Sequence, residues 1–391
     1  MRTRRQSGSR PAVAVWLRGG LAALCLLWGA PALPAGQAEI VIAQVAPLSG
    51  VLATTGERMV LGVNLQVQAV NASGGIHGRH LRLVVRDDGY RVDETIAQTH
   101  SLLEQVRPAA LIGFAGTANL TELLRTGLLA RYRTALVGPY TGGESLRTPY
   151  NPHIFHVRAS YADEAEHMVR ALTQLGNRRI AVLFQDDGFG RSGLAGVERA
   201  LERRGLSPVV SASYERSTGD VSQAVEAIAR ESPSAVIMVG INRAVAGFVR
   251  QYREGGGTAQ LFSISVVDPQ ELVQLAGLEA MHGVAISQVM PYPYIGLSPV
   301  VREYLDALAR YAPGGTQPSY TSFETFVAAK VLVEALRRAD AAATPADVAT
   351  ALERLGRLDV GGFEVAYGPE RREGSTFVDI TVIGRNGQLM R

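Results

Sequence analysis

The sequence predicts an α/β protein of two similar lobes, each a mostly parallel sheet flanked by helices. Three observations predict it. Short apolar runs alternate with stretches whose apolar residues recur at helical spacing. That alternation restarts after about residue 157. The final third adds long helical patterns and closes on strand-like runs.

Taken in order, "EIVIAQVA" at 39–46 is a short apolar run, read as a buried strand. Residues 56–72 place Val60, Val63, Leu65, Val67 and Val70 at helical spacing. "NASGGIHGR" is a turn rich in Gly and Asn, and "LRLVV" is a second strand ending at Asp87-Asp88. Residues 92–106 read as a helix, "AALIGF" as a strand, 117–131 as a helix and "TALVG" as a strand. The restart gives a helix at 162–175, strand "RIAVLF", a helix at 190–204 and strand "PVVSASY". A helix at 220–231 capped by Asp220, strand "AVIMVG", a helix at 243–254 and strands "LFSIS" and "GVAISQV" complete the second unit. Residues 298–311 and 322–339 are helical patterns, and Pro345 opens a helix to about Leu355. "FEVAY" and "TFVDITVI" read as a closing pair of strands that finishes one lobe's sheet. The expected lobes are therefore 39–157 plus 290–362, and 158–289 plus 363–391, with crossings near 157, 289–293 and 362. Several crossings make a hinge that permits closing and resists shear.

The first 38 residues read as a secretory leader. Arg2, Arg4, Arg5, Arg10 and Arg18 precede or border apolar runs at 13–16 and 21–28, and small residues follow up to Ala38. The apolar run is too short and broken to span a bilayer comfortably. Cleavage is expected after Ala38, with Sec export. Cys25 is preceded by Leu24, not the small residue that lipidation would need. Removing the leader changes the formal charge from +3 to −2 and leaves 353 residues with no cysteine. No disulfide and no thiolate chemistry are then available. The overall basic balance belongs largely to the leader, so it implies no nucleic-acid partner. Lys330 is the only lysine, which leaves little scope for lysine-based covalent chemistry.

In an open α/β sheet a ligand lies beyond the carboxyl ends of the strands. Two such ends in the first lobe suit an anion or a carbonyl: Gly116-Thr117-Ala118-Asn119, and Pro139-Tyr140-Thr141-Gly142-Gly143. A helix start offers free N–H groups and partial positive charge, and each Thr adds a hydroxyl. Thr117 and Thr141 alone could be simple caps; two at consecutive strand ends favour a binding role.

The stretches "APLSG…GERMVLGVNLQVQAVNASGGIHGRHLRLVVRDDGY", "LVGPYTGGESLR", "RIAVLFQDDGFGRSG" and "SQVMPYPY" resemble the leucine/isoleucine/valine-binding protein family. These are the type I periplasmic substrate-binding proteins of ABC transporters. The resemblance covers nearly all of the chain after the leader. It implies two Rossmann-like lobes joined by a three-stranded hinge, with ligand held in the cleft and no cofactor. It also implies site residues. Thr117 takes the place of the helix-start contact to a ligand carboxylate, and Tyr140 with Gly142 that of the next loop. Thr55 matches a pocket-wall position, Phe189 an aromatic closing from the second lobe, and Asn242 another second-lobe contact. One departure stands out. Amino-acid binders of the family carry an acid after the strand here reading "LFSIS", where this chain has Ser265, Val266 and Val267, with Asp268 slightly later. A buried ammonium without a partner is costly. Either Asp268 reaches in or the ligand has no ammonium, and the second reading is preferred.

Other motifs lack the context their chemistry needs. Gly188, Gly190 and Gly193 spell G-x-G-x-x-G between a strand and a helix, but Asp186-Asp187 precede them where a pyrophosphate would sit. Asp87-Asp88 and Asp186-Asp187 read as solvated turns in preference to metal pairs. The seven histidines make no H-E-x-x-H, and there is no G-x-S-x-G elbow. "RREGS" at 371–375 reads as a hairpin turn. The expectation is thus a monomeric periplasmic protein that captures a small polar solute, branched-chain amino acid-like, amide or small carboxylate, by lobe closure and passes it to a membrane permease. A sensory receptor using the same clamp is the alternative, and an exported enzyme the remote one.

Overall fold

The computed structural model describes residues 39–391; the expected leader and its cleavage lie outside the described residues. The first lobe opens with β1 (Ile40–Ala46), α1 (Ala53–Ala72), β2 (Leu81–Asp87), α2 (Val92–Ser101) and β3 (Ala110–Ile112). It continues with α3 (Thr117–Arg125), α4 (Leu128–Arg131), β4 (Leu136–Val137) and β5 (Ile154–Phe155). These strands form one parallel sheet in the order β2-β1-β3-β4-β5. Its inner strands are apolar on both faces because helices cover both, which is why they read as unbroken runs. The single helix expected over 117–131 is two, parted at Gly127, whose φ of 69° breaks the helical path.

The second lobe comprises α5 (Tyr161–Gln174), β6 (Ile180–Gln185), α6 (Gly188–Glu202), β7 (Ser211–Tyr214), α7 (Ser222–Arg230) and β8 (Ala235–Val239). Then come α8 (Asn242–Glu254), β9 (Gln260–Ser263), α9 (Pro269–Ala276), α10 (Leu278–Met281) and β10 (Ala285–Gln288). Helix α5 starts at a capping box in which Ser160 and Asp163 satisfy each other's backbone N–H groups. The glycines of α6 serve packing: a Cβ at Gly190 would stand 1.9 Å from the Gln185 carbonyl oxygen, and one at Gly193 2.4 Å from Val239.

The chain then returns to the first lobe through α11 (Pro299–Tyr311), α12 (Tyr320–Arg338) and α13 (Pro345–Glu353). Helix α12 is buried along most of its length and lies against α1. A three-stranded meander follows: β11 (Arg357–Asp359), β12 (Glu364–Gly368) and β13 (Arg371–Gly374). Last, β14 (Asp379–Ile383) and β15 (Leu389–Met390) complete the second sheet, ordered β15-β14-β10-β9-β8-β6-β7. Both are antiparallel additions to its edge.

Three expectations are corrected here. "FEVAY" and "TFVDITVI" finish different sheets: β12 belongs to the meander and β14 to the second lobe. Residues 363–374 pack on the first lobe, where Phe363, Val365 and Tyr367 join its apolar cluster and the Tyr367 ring meets Phe155 edge-on at 5.4 Å. The last crossing therefore follows Gly374 and is not near 362. "RREGS" is strand β13, because Arg372 is buried with its guanidinium over the Phe155 ring. The crossings lie side by side: His156 N–H donates to the Arg372 carbonyl, Ser375 N–H to the Val157 carbonyl, and the Gln288 amide to Thr381 Oγ1.

Candidate ligand-binding cleft

The carboxyl ends of the parallel strands of both sheets face one cleft, and side chains of the two lobes meet across it. Between them lies a cavity of about 20 Å³, room for roughly one water molecule. The first lobe contributes Leu52, Thr55, Tyr90, Ala115, Gly116, Thr117 and Tyr140 to its wall; the second contributes Tyr161, Phe189, Ile241 and Val266.

Five of the ten expected site residues line this cavity: Thr55, Gly116, Thr117, Tyr140 and Phe189. Gly116 precedes α3 with φ of 93°, a left-handed turn that aims the helix start at the cleft. The Thr117 and Thr141 hydroxyls are buried and 2.6 Å apart, and Gly143 N–H donates to Thr141 Oγ1. Thr141 thus stands behind Thr117 and orients its hydroxyl. Tyr140 presents its ring to the cavity while its O–H bonds Thr321 Oγ1 at 3.1 Å. Gly142 is a backbone support: its carbonyl accepts from Tyr161 N–H, and a Cβ there would meet the Tyr161 ring at 2.7 Å. Phe189 sits on the first turn of α6, whose first N–H groups donate to Asp187, and packs edge-on against Tyr161 at 5.5 Å.

The other three face elsewhere. Asn242 is spent inside the second lobe: its Oδ1 accepts from Asp268 N–H and its Nδ2 donates to Glu271. Its neighbour Ile241 reaches the cavity instead. Ser265 joins the buried pair Arg158–Glu164: its N–H and Oγ both reach the Glu164 carboxylate, and Arg158 donates to its Oγ. Asp268 caps α9 and makes an ion pair with Arg58 of α1 at 2.6 Å, across the lobes.

Sequence reasoning missed Tyr90, Tyr161 and three arginines. Tyr90 has φ of 63°, strained for a large side chain by about 1 kcal/mol or more, a feature that clusters at functional sites. Its ring lies 3.6 Å beneath the Arg216 guanidinium of the second lobe, and Gln185 donates to its O–H at 3.3 Å. Arg216 also reaches the Tyr90 carbonyl, Asn119 Oδ1 and Asp187. Arg158, at the first crossing, is fully buried between Glu164 of the second lobe (3.2 Å) and Glu324 of the first (3.5 Å), and lies over the Tyr140 ring. Burial raises the Glu324 carboxyl to about 7, against the pull of Arg158 and with repulsion from Glu164. Burial likewise holds the Tyr90 and Tyr140 phenols above their ordinary value, so both are neutral O–H groups at neutral pH. The carboxylates once weighed as metal pairs are turn and cap groups: Asp87 accepts from Leu48 and Gly89 N–H, Asp88 from Tyr90 N–H.

A cavity so lined offers hydroxyls and a helix start at its first-lobe end and apolar side chains around the rest. At the volume seen here it holds about one water, so a larger solute needs its walls to move apart; the lining residues include no nucleophile held by a base.

Comparison with known proteins agrees with this geometry. A family model described as periplasmic binding protein matches residues 39–388. A substrate-binding periplasmic protein from Ralstonia solanacearum is 39% identical, covering 90% of this chain and 99% of its own, with a TM-score of 0.86. A possible leucine/isoleucine/valine-binding protein from Rhodopirellula baltica is 28% identical over 92% of this chain and 98% of its own, with a TM-score of 0.87. Leu/Ile/Val-binding protein homolog 7 of Brucella abortus is 25% identical over 345 residues, 85% of this chain and 84% of its own.

Proposed function

The chain belongs to the periplasmic binding protein family, whose members bind solutes and are not enzymes, and from that premise we propose a specific role. It is the solute-capturing component of an ABC importer. It works in the periplasm after removal of residues 1–38, as a monomer that delivers its solute to a membrane permease. One observation supports this best: the first-lobe strand ends and the second-lobe Phe189 line the same cavity. Capture begins on the first lobe, where Thr117 and the start of α3 take the polar end of the solute. Phe189, Ile241 and Val266 then close over the apolar part. Differential affinity for the closed form shifts the population toward it.

The solute is a small carboxylate or amide without an ammonium group. Asp268, the acid nearest the family's amine-binding position, is paired with Arg58 and does not line the cavity. A thermal-shift screen tests this, because a solute that binds only the folded protein raises its melting temperature. Small aliphatic and aromatic acids and amides should raise it, and α-amino acids should not. Stabilisation by α-amino acids alone would overturn the solute class.

A further inference from the structure

Arg58 is one helical turn beyond Thr55, so the two share a face of α1, and Thr55 is on the cavity wall. On the opposite lobe Val266 lines the cavity, and Asp268 follows two residues later. Arg58 Nη1 lies 2.6 Å from Asp268 Oδ1 and 3.9 Å from Glu271 Oε2. Asp268 is only 2% exposed. Its Oδ1 also accepts from Glu271 N–H, while its Oδ2 is buried without a hydrogen-bond partner. Near the cavity, though not lining it, stand two carboxylates, Asp268 with unused acceptor capacity at Oδ2 and Glu271, and among the described residues Arg58 faces both. That cation comes from the protein, from the other lobe.

A buried carboxylate left alone demands a positive partner, and a solute ammonium could supply it. With Arg58 in place the part of that demand at Asp268 Oδ1 is met from within the protein, although the same guanidinium is shared with Glu271. A second cation brought to the same carboxylate would be repelled by the guanidinium and desolvated for little return. We propose that Arg58 is a specificity-determining residue: it occupies the cationic position opposite Asp268 and so selects solutes without an ammonium group. The inference rests on the reading of this cleft as the solute site, and it makes Arg58 the reason for the solute class.

A merely structural bridge between lobes would support every solute alike, so the ratio of affinities is the discriminating readout. Calorimetry would compare matched pairs differing only by the α-amino group: leucine with 4-methylpentanoate, and phenylalanine with 3-phenylpropanoate. The purified protein, Arg58→Met and Arg58→Gln are measured against each; the glutamine variant keeps a hydrogen-bond donor toward Asp268 should the methionine variant fold poorly. The expected result is that the native protein favours the plain acid of each pair, and that both variants move the ratio toward the amino acid by about 10-fold or more. Adding Asp268→Asn to Arg58→Met should abolish the shift. Variants that lose affinity for both members equally, or bind no amino acid better than the native protein does, overturn the assignment while leaving the solute class intact. A native protein that already prefers the amino acid of each pair overturns both.

Discussion

Two sets of arginine contacts join the lobes, and they differ in depth. At the hinge, Arg158 has no exposed surface and bridges Glu164 of one lobe to Glu324 of the other, with Ser265 and Ser287 completing the Glu164 shell. At the mouth of the cleft, Arg58 and Arg216 reach across in opposite directions, each about one-fifth exposed. The hinge network surrounds a segment that crosses between lobes covalently, so it can persist through opening. The cleft contacts are made by loops and helix faces that would separate in the proposed opening of the lobes. Depth separates the two sets: a fully buried ion network has no water to exchange with, while a partly exposed contact has, as the proposed parting of the lobes requires.

The largest effect should come from breaking the hinge. Arg158→Met leaves two carboxylates buried without their cation and should cost about 3–5 kcal/mol of stability. Denaturant unfolding measures it. A loss below about 1 kcal/mol would show that the hinge network is no more permanent than the cleft contacts, and the comparison would fail.

The next effect is a pH dependence seated in the same network. The Glu324 carboxyl is raised from its usual 4.5 to about 7, chiefly by burial. The folded protein therefore holds a proton that the unfolded chain has already released. The stability from this group is fully present below pH 4.5 and is lost as pH rises through about 7, a decline of roughly 3 kcal/mol. Glu324→Gln should remove that decline. Melting curves of both proteins from pH 5 to 8 give the difference, in which the opposite contribution of His156 cancels. That histidine is kept neutral by burial, and its contribution is lost as pH falls below 6.5. Parallel curves would show Glu324 to be ionised throughout.

The same contrast governs what was legible in the sequence. Strands buried on both faces read directly, since nothing but apolar residues suits them: β6 and β8 are examples. Thr117 and Phe189 were legible because their places at a strand end and a helix start fix where they point. Asn242 was misplaced because its partners, Asp268 N–H and Glu271, lie 26 and 29 positions on, and Asp268 because a cap and a ligand contact look alike in sequence. What decides between them is Arg58, 210 positions before Asp268 in the chain. Tyr90 stood in view within "DDGY", but the turn signal hid a ring that the left-handed backbone turns into the cleft. Strand β13 was hidden by its charges, which are legible as strand only once Glu353 and Phe155 are seen to receive Arg372.

The smallest effect on stability should be at the cleft mouth, where the effect on binding is larger. Arg216→Ala removes the bonds to Tyr90, Asn119 and Asp187 and the stack on the Tyr90 ring. These contacts hold the closed form and leave each lobe's own core untouched. Stability should therefore fall by less than about 1 kcal/mol. Affinity for a solute found by thermal shift should fall about 10-fold, because less of the protein is in the closed form. X-ray scattering of the solute-free variant should give a larger radius of gyration than the native protein. If Arg216→Ala instead unfolds as readily as Arg158→Met, both arginines are structural and the cleft contacts are not a releasable latch. If affinity falls while stability and hinge chemistry stand, closure and folding are separately wired in this chain: one to arginines that water can reach, the other to one that it cannot.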